Sequence, residues 1–346
     1  MCYIIDIVQY TLSPVKTIPL GEEMTKKTVS GQEPHHDSFP DGELKLTDFF
    51  TLPSRAILAP MEGIMSGNAF FHAASSLGLI DSWMPPFIGA SRDCPPKCGT
   101  LRKRYQVFLE SGLPFTLQLL GHDEETLLQA AHNAWKAGIR SLNLNCGCPS
   151  PTVLSSGSGG ALLKGKDKIR SLLQTLRKGV PHMAVSIKLR AAFEREEESG
   201  ELFHAVREGD PHWIILHYRT VTEGYQPMPK ETALRRLQKA RRIWEGIPFF
   251  ANGDILHAED AYLYRRETGC DGVAAARGLL RNPFLLNEIR CKGDPRDLRR
   301  EFLKKLTENL TPRQKKFYGM ECIRMIYGRD SEEFRKALQL HRSGIE

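Results

Sequence analysis

The chain has 346 residues, with 48 basic and 41 acidic side chains and therefore a formal net charge of +7. Its length favours two domains, and 41% hydrophobic with 26% charged residues is typical of a globular protein, which excludes a collagen-like or wholly disordered chain. No uncharged apolar run approaches the ~20 residues that a membrane-spanning helix requires.

The N-terminal region has a different character from the rest. Its start, MCYIIDIVQYTL, lacks basic residues and carries Asp6 in its apolar stretch, so it is a poor secretory signal. The eight cysteines are scattered, which in a long chain without such a signal favours reduced thiols and a cytoplasmic location. Residues 1–52 include the polar run GEEMTKKTVSGQEPHHDSFPDGE. We predict that they form an N-terminal extension, a mobile tail or an arm on the surface.

From Pro53 onward, short apolar runs alternate with amphipathic segments, as in sheets of buried parallel strands. Strands are predicted at 56–61, 115–121, 141–147, 184–190, 213–219, 249–255 and 272–278, with a weaker one near 82–87. Helices are predicted at 124–138, 166–179, 231–246 and 257–269, each ending in a glycine suited to a left-handed conformation, namely Gly138, Gly179, Gly246 and Gly269.

These alternations predict an α/β fold, a (β/α)8 TIM barrel over residues 53–293. A doubly wound open sheet is the alternative, but it requires a phosphate-binding glycine loop after the first strand, and APMEGIMSG is not one. Residues 294–346 show helical patterns only and carry 13 basic and nine acidic side chains. They are predicted to form a small, basic, all-helical domain.

The active site of such a barrel lies at the carboxyl ends of its strands, and the loops after the last two strands commonly hold a phosphate group. Here those loops begin NGDI and ARGLL. Gly253 and Gly278 allow close approach of an anion to backbone N–H groups, and Arg277 supplies a guanidinium suited to phosphate oxygens. Lys188 ends another apolar strand, so it is either a surface group or a cation directed into the pocket, where it would stabilise the anionic reduced ring of a flavin.

The most specific run is NCGCP, residues 145–149. A thiol in this tight strand-end turn is rigidly directed, so Cys148 could act as a nucleophile or as a general acid. Alternatively, Cys146 and Cys148 could bind a metal or form a disulfide, although their spacing is shorter than zinc sites use. The segment SSGSGGALL (155–163) could be a flexible loop that follows a bulky substrate, or a linker.

Several blocks together resemble the tRNA-dihydrouridine synthases, in the order and spacing of that family. The blocks are APMEG (59–63), QLLG (118–121), LNLNCGCPSPTV with GSGGALL (142–163), SIKLR (186–190), LHYRT with EGY (216–225), ANGDI (251–255) and ARG (276–278). The NCGCPS–GSGGA form is most similar to the DusC-type bacterial subgroup, which acts on position 16 of tRNA.

The resemblance implies an FMN-dependent enzyme that uses NADPH to reduce a D-loop uridine of tRNA to dihydrouridine, without a metal and as a monomer. It implies hydride transfer to C6 of the uracil and protonation of C5 by Cys148. The implied flavin contacts are Pro60, Met61, Gln118, Lys188, His217, Asn252, Gly253, Asp254, Ala276, Arg277 and Gly278. The implied substrate contacts are Asn145, Arg190, Arg219, Arg299, Arg300, Lys304, Lys305, Arg313, Lys315 and Lys316.

Three positions depart from the family pattern. MPPFIGASR (84–92) replaces a usual Thr-Glu pair, Tyr218 stands where glycine is usual, and Ala276 replaces a glycine and requires a negative φ. Two alternative functions stay open at this point. One is a flavin-dependent oxidoreductase of a free pyrimidine, as in dihydroorotate-type enzymes, and the other is a tRNA-binding protein without catalysis.

Overall fold

The computed structural model describes residues 42–61, 67–291, 298–312, 314, 319–320, 322–324 and 331–342. Ten strands lie in these ranges: β1 (Leu44–Thr47), β2 (Phe50–Leu52), β3 (Ala56–Leu58), β4 (Ile88–Gly89), β5 (Thr116–Leu120), β6 (Ser141–Cys146), β7 (Ala184–Arg190), β8 (Trp213–His217), β9 (Phe249–Asn252) and β10 (Gly272–Ala275). β1 and β2 form an antiparallel hairpin. The other eight form one parallel sheet in the order β3-β10-β9-β8-β7-β6-β5-β4.

The sheet is curled, because strands from its two ends contribute to the same interior core. Ile57 and Ala59 at the β3 end, Met84 just before β4, and Trp213 and Phe250 from the middle belong to one buried cluster. A second, larger cluster lies between the outer face of the strands and the helices. Two concentric cores around a parallel sheet define a (β/α)8 barrel, as the sequence predicted.

The β1–β2 hairpin closes the amino-terminal end of the barrel. Phe50 and Leu52 are 6% and 2% exposed and pack in the interior cluster with Trp213 and Phe250. The prediction of a mobile tail or surface arm is therefore wrong for residues 44–52, whose alternating apolar side chains are anchored in the barrel. The rest of that prediction, residues 1–41, lies outside the described part of the chain, and the division into domains stays a prediction.

Helices cover the outside of the barrel, and the described ones of five or more residues are α1 (Asn68–Ser76), α2 (Cys98–Glu110), α3 (Glu124–Lys136), α4 (Pro151–Ser155), α5 (Lys166–Gly179), α6 (Ser199–Glu208), α7 (Lys230–Ile243), α8 (Ala258–Thr268), α9 (Arg277–Arg281), α10 (Leu285–Ile289), α11 (Arg299–Glu308) and α12 (Glu332–Arg342). None of the described helices is long and apolar enough to cross a membrane.

Three of the four predicted helix-terminal glycines have the expected left-handed conformation, with φ of +99° at Gly138, +83° at Gly246 and +66° at Gly269. The prediction is wrong for Gly179, which remains helical as the last residue of α5. A Cβ at Gly179 would lie 2.1 Å from the end of the Leu128 side chain, which would have to move.

The region from Ser82 to Gly89 and the C-terminal helix α11 complete the barrel. The weak strand predicted at 82–87 lies slightly later, as β4, and is preceded by an isolated bridge between Trp83 and Phe115. Helix α11 is anchored by Phe302, which is fully buried and meets Phe70 and Phe284 edge-on. The described part of the C-terminal segment is helical, as predicted, and α11 packs directly against the barrel.

Candidate active site

The predicted site residues converge because neighbouring strands bring their ends into register. Asn145 of β6 pairs with Lys188 of β7, and Arg190 at the end of β7 pairs with His217 of β8. His217 in turn pairs with Asn252 of β9. Four adjacent strands therefore present polar side chains at the same carboxyl-terminal rim, where barrel enzymes carry their chemistry.

Asn145 fixes the backbone that carries Cys148. Its side-chain carbonyl accepts the N–H groups of Gly147 at 3.1 Å and Cys148 at 3.0 Å, which forms a tight turn directly after β6. Its amide group donates to the Gln118 carbonyl at 2.9 Å. These uncharged hydrogen bonds hold the turn rigidly.

The glycine-rich segment after Cys148 packs against this turn. Gly160 donates its N–H to the Cys148 carbonyl at 2.9 Å, and Gly159 has a φ of +59°. A Cβ at Gly159 would lie 3.2 Å from the Cys148 Cβ, and one at Gly160 would lie 2.9 Å from the Cys148 carbonyl oxygen. Both glycines are buried, and residues 159–164 form a packed 3-10 turn. The prediction of a flexible loop or linker at 155–163 is therefore wrong for residues 159–163.

A layer of uncharged polar side chains lies below the rim inside the barrel. Gln118 donates to Asn143 at 2.7 Å, Asn143 donates to the Ser186 hydroxyl at 2.8 Å, and Ser186 donates to the Leu142 carbonyl at 2.9 Å. The three side chains are at most 1% exposed. The layer satisfies its own polar groups and supports Asn145 through Gln118.

Lys188 lies close enough to Cys148 for the two side chains to interact electrostatically. Burial, together with the positive charge of Arg190, lowers the pKa of Lys188 to about 8, against an opposing effect of Cys148. An ammonium near its titration point at neutral pH is sensitive to any anion placed beside it.

His217 is neutral. It is 6% exposed, and burial lowers its pKa well below the usual range. Four surrounding cations act in the same direction, namely Arg190, Lys188, Arg219 and Arg277. The His217 Nδ1 accepts the backbone N–H of Arg219 at 3.2 Å, which places the ring proton on Nε2 as a donor.

Arg190 links two rim loops through backbone carbonyls. Its guanidinium is almost fully buried and donates to Gly147 at 3.0 Å and to Thr220 and Gly224, each at 2.8 Å. Gly147 belongs to the Cys148 turn, whereas Thr220 and Gly224 belong to the loop after β8. This geometry gives Arg190 a structural role, and its contact with substrate stays a prediction.

Asp254 holds two further arginines of the rim. Its carboxylate accepts Nη2 of Arg219 at 2.5 Å and also a guanidinium N–H of Arg277. Burial alone raises the pKa of Asp254, but the hydrogen bond and charge of Arg219 outweigh burial and hold the pKa below its usual range. The Nη1 group of Arg219 is buried without a hydrogen-bond partner among the described residues.

The loop after β10 requires glycine at one position and tolerates alanine at another. A Cβ at Gly278 would lie 2.2 Å from the Ile255 carbonyl oxygen, so this site excludes any side chain. Ala276 has a φ of −127°, which is negative, as its replacement of the family glycine requires.

The remaining predicted site residues follow β3, lie on α11 or fall outside the described part of the chain. Pro60 and Met61 follow β3 and are half-buried, with Met61 packed on the outer core. Lys304 and Lys305 lie on α11 and pair with Glu308 at 3.9 Å and Glu301 at 3.7 Å. The side chains of Arg299 and Arg300, and all of Arg313, Lys315 and Lys316, lie outside the described part of the chain.

The structure adds Tyr225 to the rim, a residue that the site prediction omitted. Its ring is 47% exposed, and the guanidinium carbons of Arg190 and Arg277 lie 5.1 Å and 4.7 Å from the ring centre. The His217 ring is 6.2 Å away. The sequence block EGY already contains Tyr225. The turn after the strand-end residues 217–220 brings the chain back towards the rim, and this could have indicated Tyr225.

The alternatives for the Cys146–Cys148 pair find no support. None of the described cysteines forms a disulfide, and no cluster of His, Cys, Asp or Glu suited to a metal occurs among the described residues. Cys146 points into the outer core, where burial raises its pKa far above that of an ordinary thiol. Cys148, by contrast, is partly exposed at the rim.

Comparison with known proteins agrees with this geometry. The model of the dihydrouridine synthase (Dus) family matches residues 58–344, which include the whole rim and the C-terminal helices. The chain belongs to the dihydrouridine synthase family. The resemblance inferred from the sequence blocks is thereby confirmed.

The relatives of this dihydrouridine synthase include tRNA-dihydrouridine(16) synthases. The one from Aquipseudomonas alcaligenes is 31% identical over 249 residues, which cover 70% of this chain and 78% of that protein. The one from Pasteurella multocida is 32% identical over 248 residues, covering 68% and 76% of the two chains.

Solved structures support the barrel fold of this dihydrouridine synthase. The old yellow enzyme from Trypanosoma cruzi superposes with a TM-score of 0.52 at 13% identity over 73% of this chain and 92% of that one. A 2-naphthoyl-CoA reductase complex gives a TM-score of 0.58 at 10% identity over 74% of this chain and 52% of that one.

Proposed function

We propose that this protein is a flavin-dependent tRNA-dihydrouridine synthase that binds FMN, takes electrons from NADPH and reduces uridine 16 in the D-loop of tRNA. The observation that carries the proposal is the rigid Cys148 turn beside Lys188 on the rim of a dihydrouridine synthase barrel. The similarity to several tRNA-dihydrouridine(16) synthases favours position 16. The expected location is the cytoplasm, and the expected active form is a monomer.

The charges and free donors of the rim fit a flavin mononucleotide. Four cations surround the neutral His217, and they leave a surplus of positive charge that an anion would balance. His217 Nε2 carries the ring proton, and Nη1 of Arg219 is buried without a hydrogen-bond partner among the described residues, so both groups have a hydrogen to donate. We assign the phosphate to Arg277, Gly253 and Gly278, the flavin ring to Lys188, His217 and Asn252, and backbone contacts to Pro60, Met61 and Ala276, whereas Gln118 supports Asn145 from below the rim.

In this proposal bound FMN, reduced by NADPH, supplies a hydride to C6 of the target uracil. Cys148 donates its proton to C5 from the opposite face, so that the C5–C6 double bond becomes single. Lys188 then stabilises the resulting thiolate, because a positive charge near a sulfur lowers the cost of ionising it. Asn145 and the packed glycines keep the thiol in place for this transfer.

The target base must leave its stack in the tRNA to reach the rim, which costs a few kcal/mol. Phosphate contacts elsewhere can offset that cost. We assign these contacts to the basic C-terminal segment 294–346, through Lys304, Lys305 and the other basic residues predicted there. Salt should therefore weaken tRNA binding steeply.

The direct test is expression in a bacterial strain that lacks its own dihydrouridine synthases, followed by mapping of dihydrouridine in its tRNA. The expected result is restored dihydrouridine at position 16, from a purified protein with flavin absorbance. Dihydrouridine at another position would refute only the assignment of the nucleotide. Reduction of a free pyrimidine that survives deletion of residues 294–346 would support the dihydroorotate-type alternative instead.

The low pKa of Lys188 gives the flavin affinity a specific pH dependence. The Lys188 ammonium has a pKa of about 8 in the protein without flavin, and it loses its charge as the pH rises through that value. FMN binding should therefore weaken between pH 7 and pH 9. His217 does not contribute, because it is already neutral in this range. Titration of FMN into the stripped protein at each pH measures the effect. The Lys188→Arg variant should lack the decline, and an equally flat wild-type profile would contradict the assigned role.

A further inference from the structure

Tyr218 occupies a position where the family usually has glycine, and the structure accommodates its ring in a defined pocket. The ring lies against Gly253, where a Cβ would be only 2.5 Å from a ring carbon. The Tyr264 ring meets it edge-on at 6.3 Å, and the Tyr264 hydroxyl donates to the Gly253 carbonyl at 3.1 Å. Tyr218 is 2% exposed, so its ring is fixed on all sides.

The hydroxyl of Tyr218 ends on the carboxylate that organises the rim arginines. It donates to Asp254 Oδ2 at 2.8 Å, the same oxygen that accepts Nη2 of Arg219. The other oxygen, Oδ1, accepts Arg277. Burial and the charge of Asp254 raise the pKa of Tyr218, so the hydroxyl stays protonated and always serves as a donor.

Asp254 needs such a support because its own backbone is in an unusual conformation. Its φ is +44°, in the left-handed region that residues other than glycine adopt rarely and at some cost. The preceding Gly253 has a φ of +119°, so the loop turns sharply just before the carboxylate. The contacts of Asp254 with Arg219, Arg277 and Tyr218 therefore fix a side chain that its backbone alone would hold poorly.

We propose that Tyr218 is a positioning residue for phosphate recognition: its hydroxyl fixes the Asp254 carboxylate, which in turn orients the Arg277 guanidinium towards the phosphate group of the flavin. This inference rests on the proposed function. Among the described residues, no hydrogen bond engages the Nε and Nη1 groups of Arg277, whose Nη2 is held by Asp254. One edge of the guanidinium is thus anchored, and the other edge is available to an anion.

The test compares FMN with riboflavin, which has the same ring without the phosphate group. Full-length protein stripped of flavin is titrated with each compound. Tyr218→Phe removes only the hydroxyl, and it should weaken FMN binding about tenfold while leaving riboflavin binding unchanged. In an Arg277→Met background, Tyr218→Phe should have no further effect on FMN. Tyr262→Phe is the matched control, because its hydroxyl donates to the Glu288 carbonyl away from the rim.

The outcomes separate this inference from the proposed function. A wild-type preference for FMN over riboflavin that Tyr218→Phe does not change would overturn the role of Tyr218 and leave the function standing. Equal weakening of FMN and riboflavin would also overturn it, since a merely structural residue would affect both ligands. Failure of the wild-type protein to bind either flavin would overturn the proposed function and this inference together.

Discussion

Cys148→Ala should abolish dihydrouridine formation while the protein keeps its flavin. Removing a general acid typically costs ~10²–10⁴-fold in rate, and the Cys148 side chain is the proton donor in the proposed reaction. The flavin is held by other residues, so its absorbance and affinity should change little. The measurement is oxidation of the reduced flavin by tRNA in a single turnover, combined with dihydrouridine content in the deletion strain.

Cys146→Ala is the matched control for this experiment. It removes the thiol at the end of β6, two residues before Cys148, which is fully buried in the outer core. The control should lose about 1 kcal/mol of stability from the small cavity and retain its turnover. Normal turnover in Cys148→Ala would reject the assignment of this thiol as the acid.

Replacing Arg190 by methionine should disrupt both loops that its guanidinium holds together. Three backbone carbonyls would lose a buried charged donor, so the free energy of unfolding should fall by about 3 kcal/mol. The Cys148 turn would also lose its link to Gly224, and a displacement of the thiol by about 1 Å is enough for a ~10²-fold loss of turnover. Denaturant unfolding and the single-turnover assay measure the two effects separately.

Arg207→Met provides the comparison. Arg207 also donates to two backbone carbonyls, those of Ile243 at 2.6 Å and Glu245 at 2.9 Å, but its side chain is exposed on the opposite face of the barrel. Water can satisfy those carbonyls after the substitution, so both stability and turnover should stay close to the wild type. An Arg190→Met variant as stable and active as Arg207→Met would show that the buried links are dispensable.

The barrel and the position of its rim could be predicted from the sequence because both depend on local patterns. Apolar runs place the buried strands, and the strand ends place Asn145, Lys188 and His217 side by side once the sheet is parallel. Parallel strands of a barrel all end at the same rim, so the polar residues at their ends meet there. The type of reaction was inferred from the family blocks, because periodicity contains no information about chemistry.

The contacts between loops could not be predicted in this way. Arg190 reaches Gly224 across 34 residues of sequence, and Tyr218 reaches Asp254 across 36. Such contacts depend on how loops settle against each other, and no local pattern fixes that arrangement. Residues 44–52 were missed for a related reason, because the residues that bury Phe50 and Leu52, such as Trp213 and Phe250, lie far along the chain.

The hairpin that fills the amino-terminal end of the barrel has a consequence for the order of events in catalysis. Phe50 and Leu52 close that end from inside. Among the described residues, the carboxyl-terminal rim is therefore the only open route to the interior of the barrel. In the proposed reaction both NADPH and tRNA must approach through that rim. They would bind one after the other, with the nicotinamide leaving before the tRNA binds.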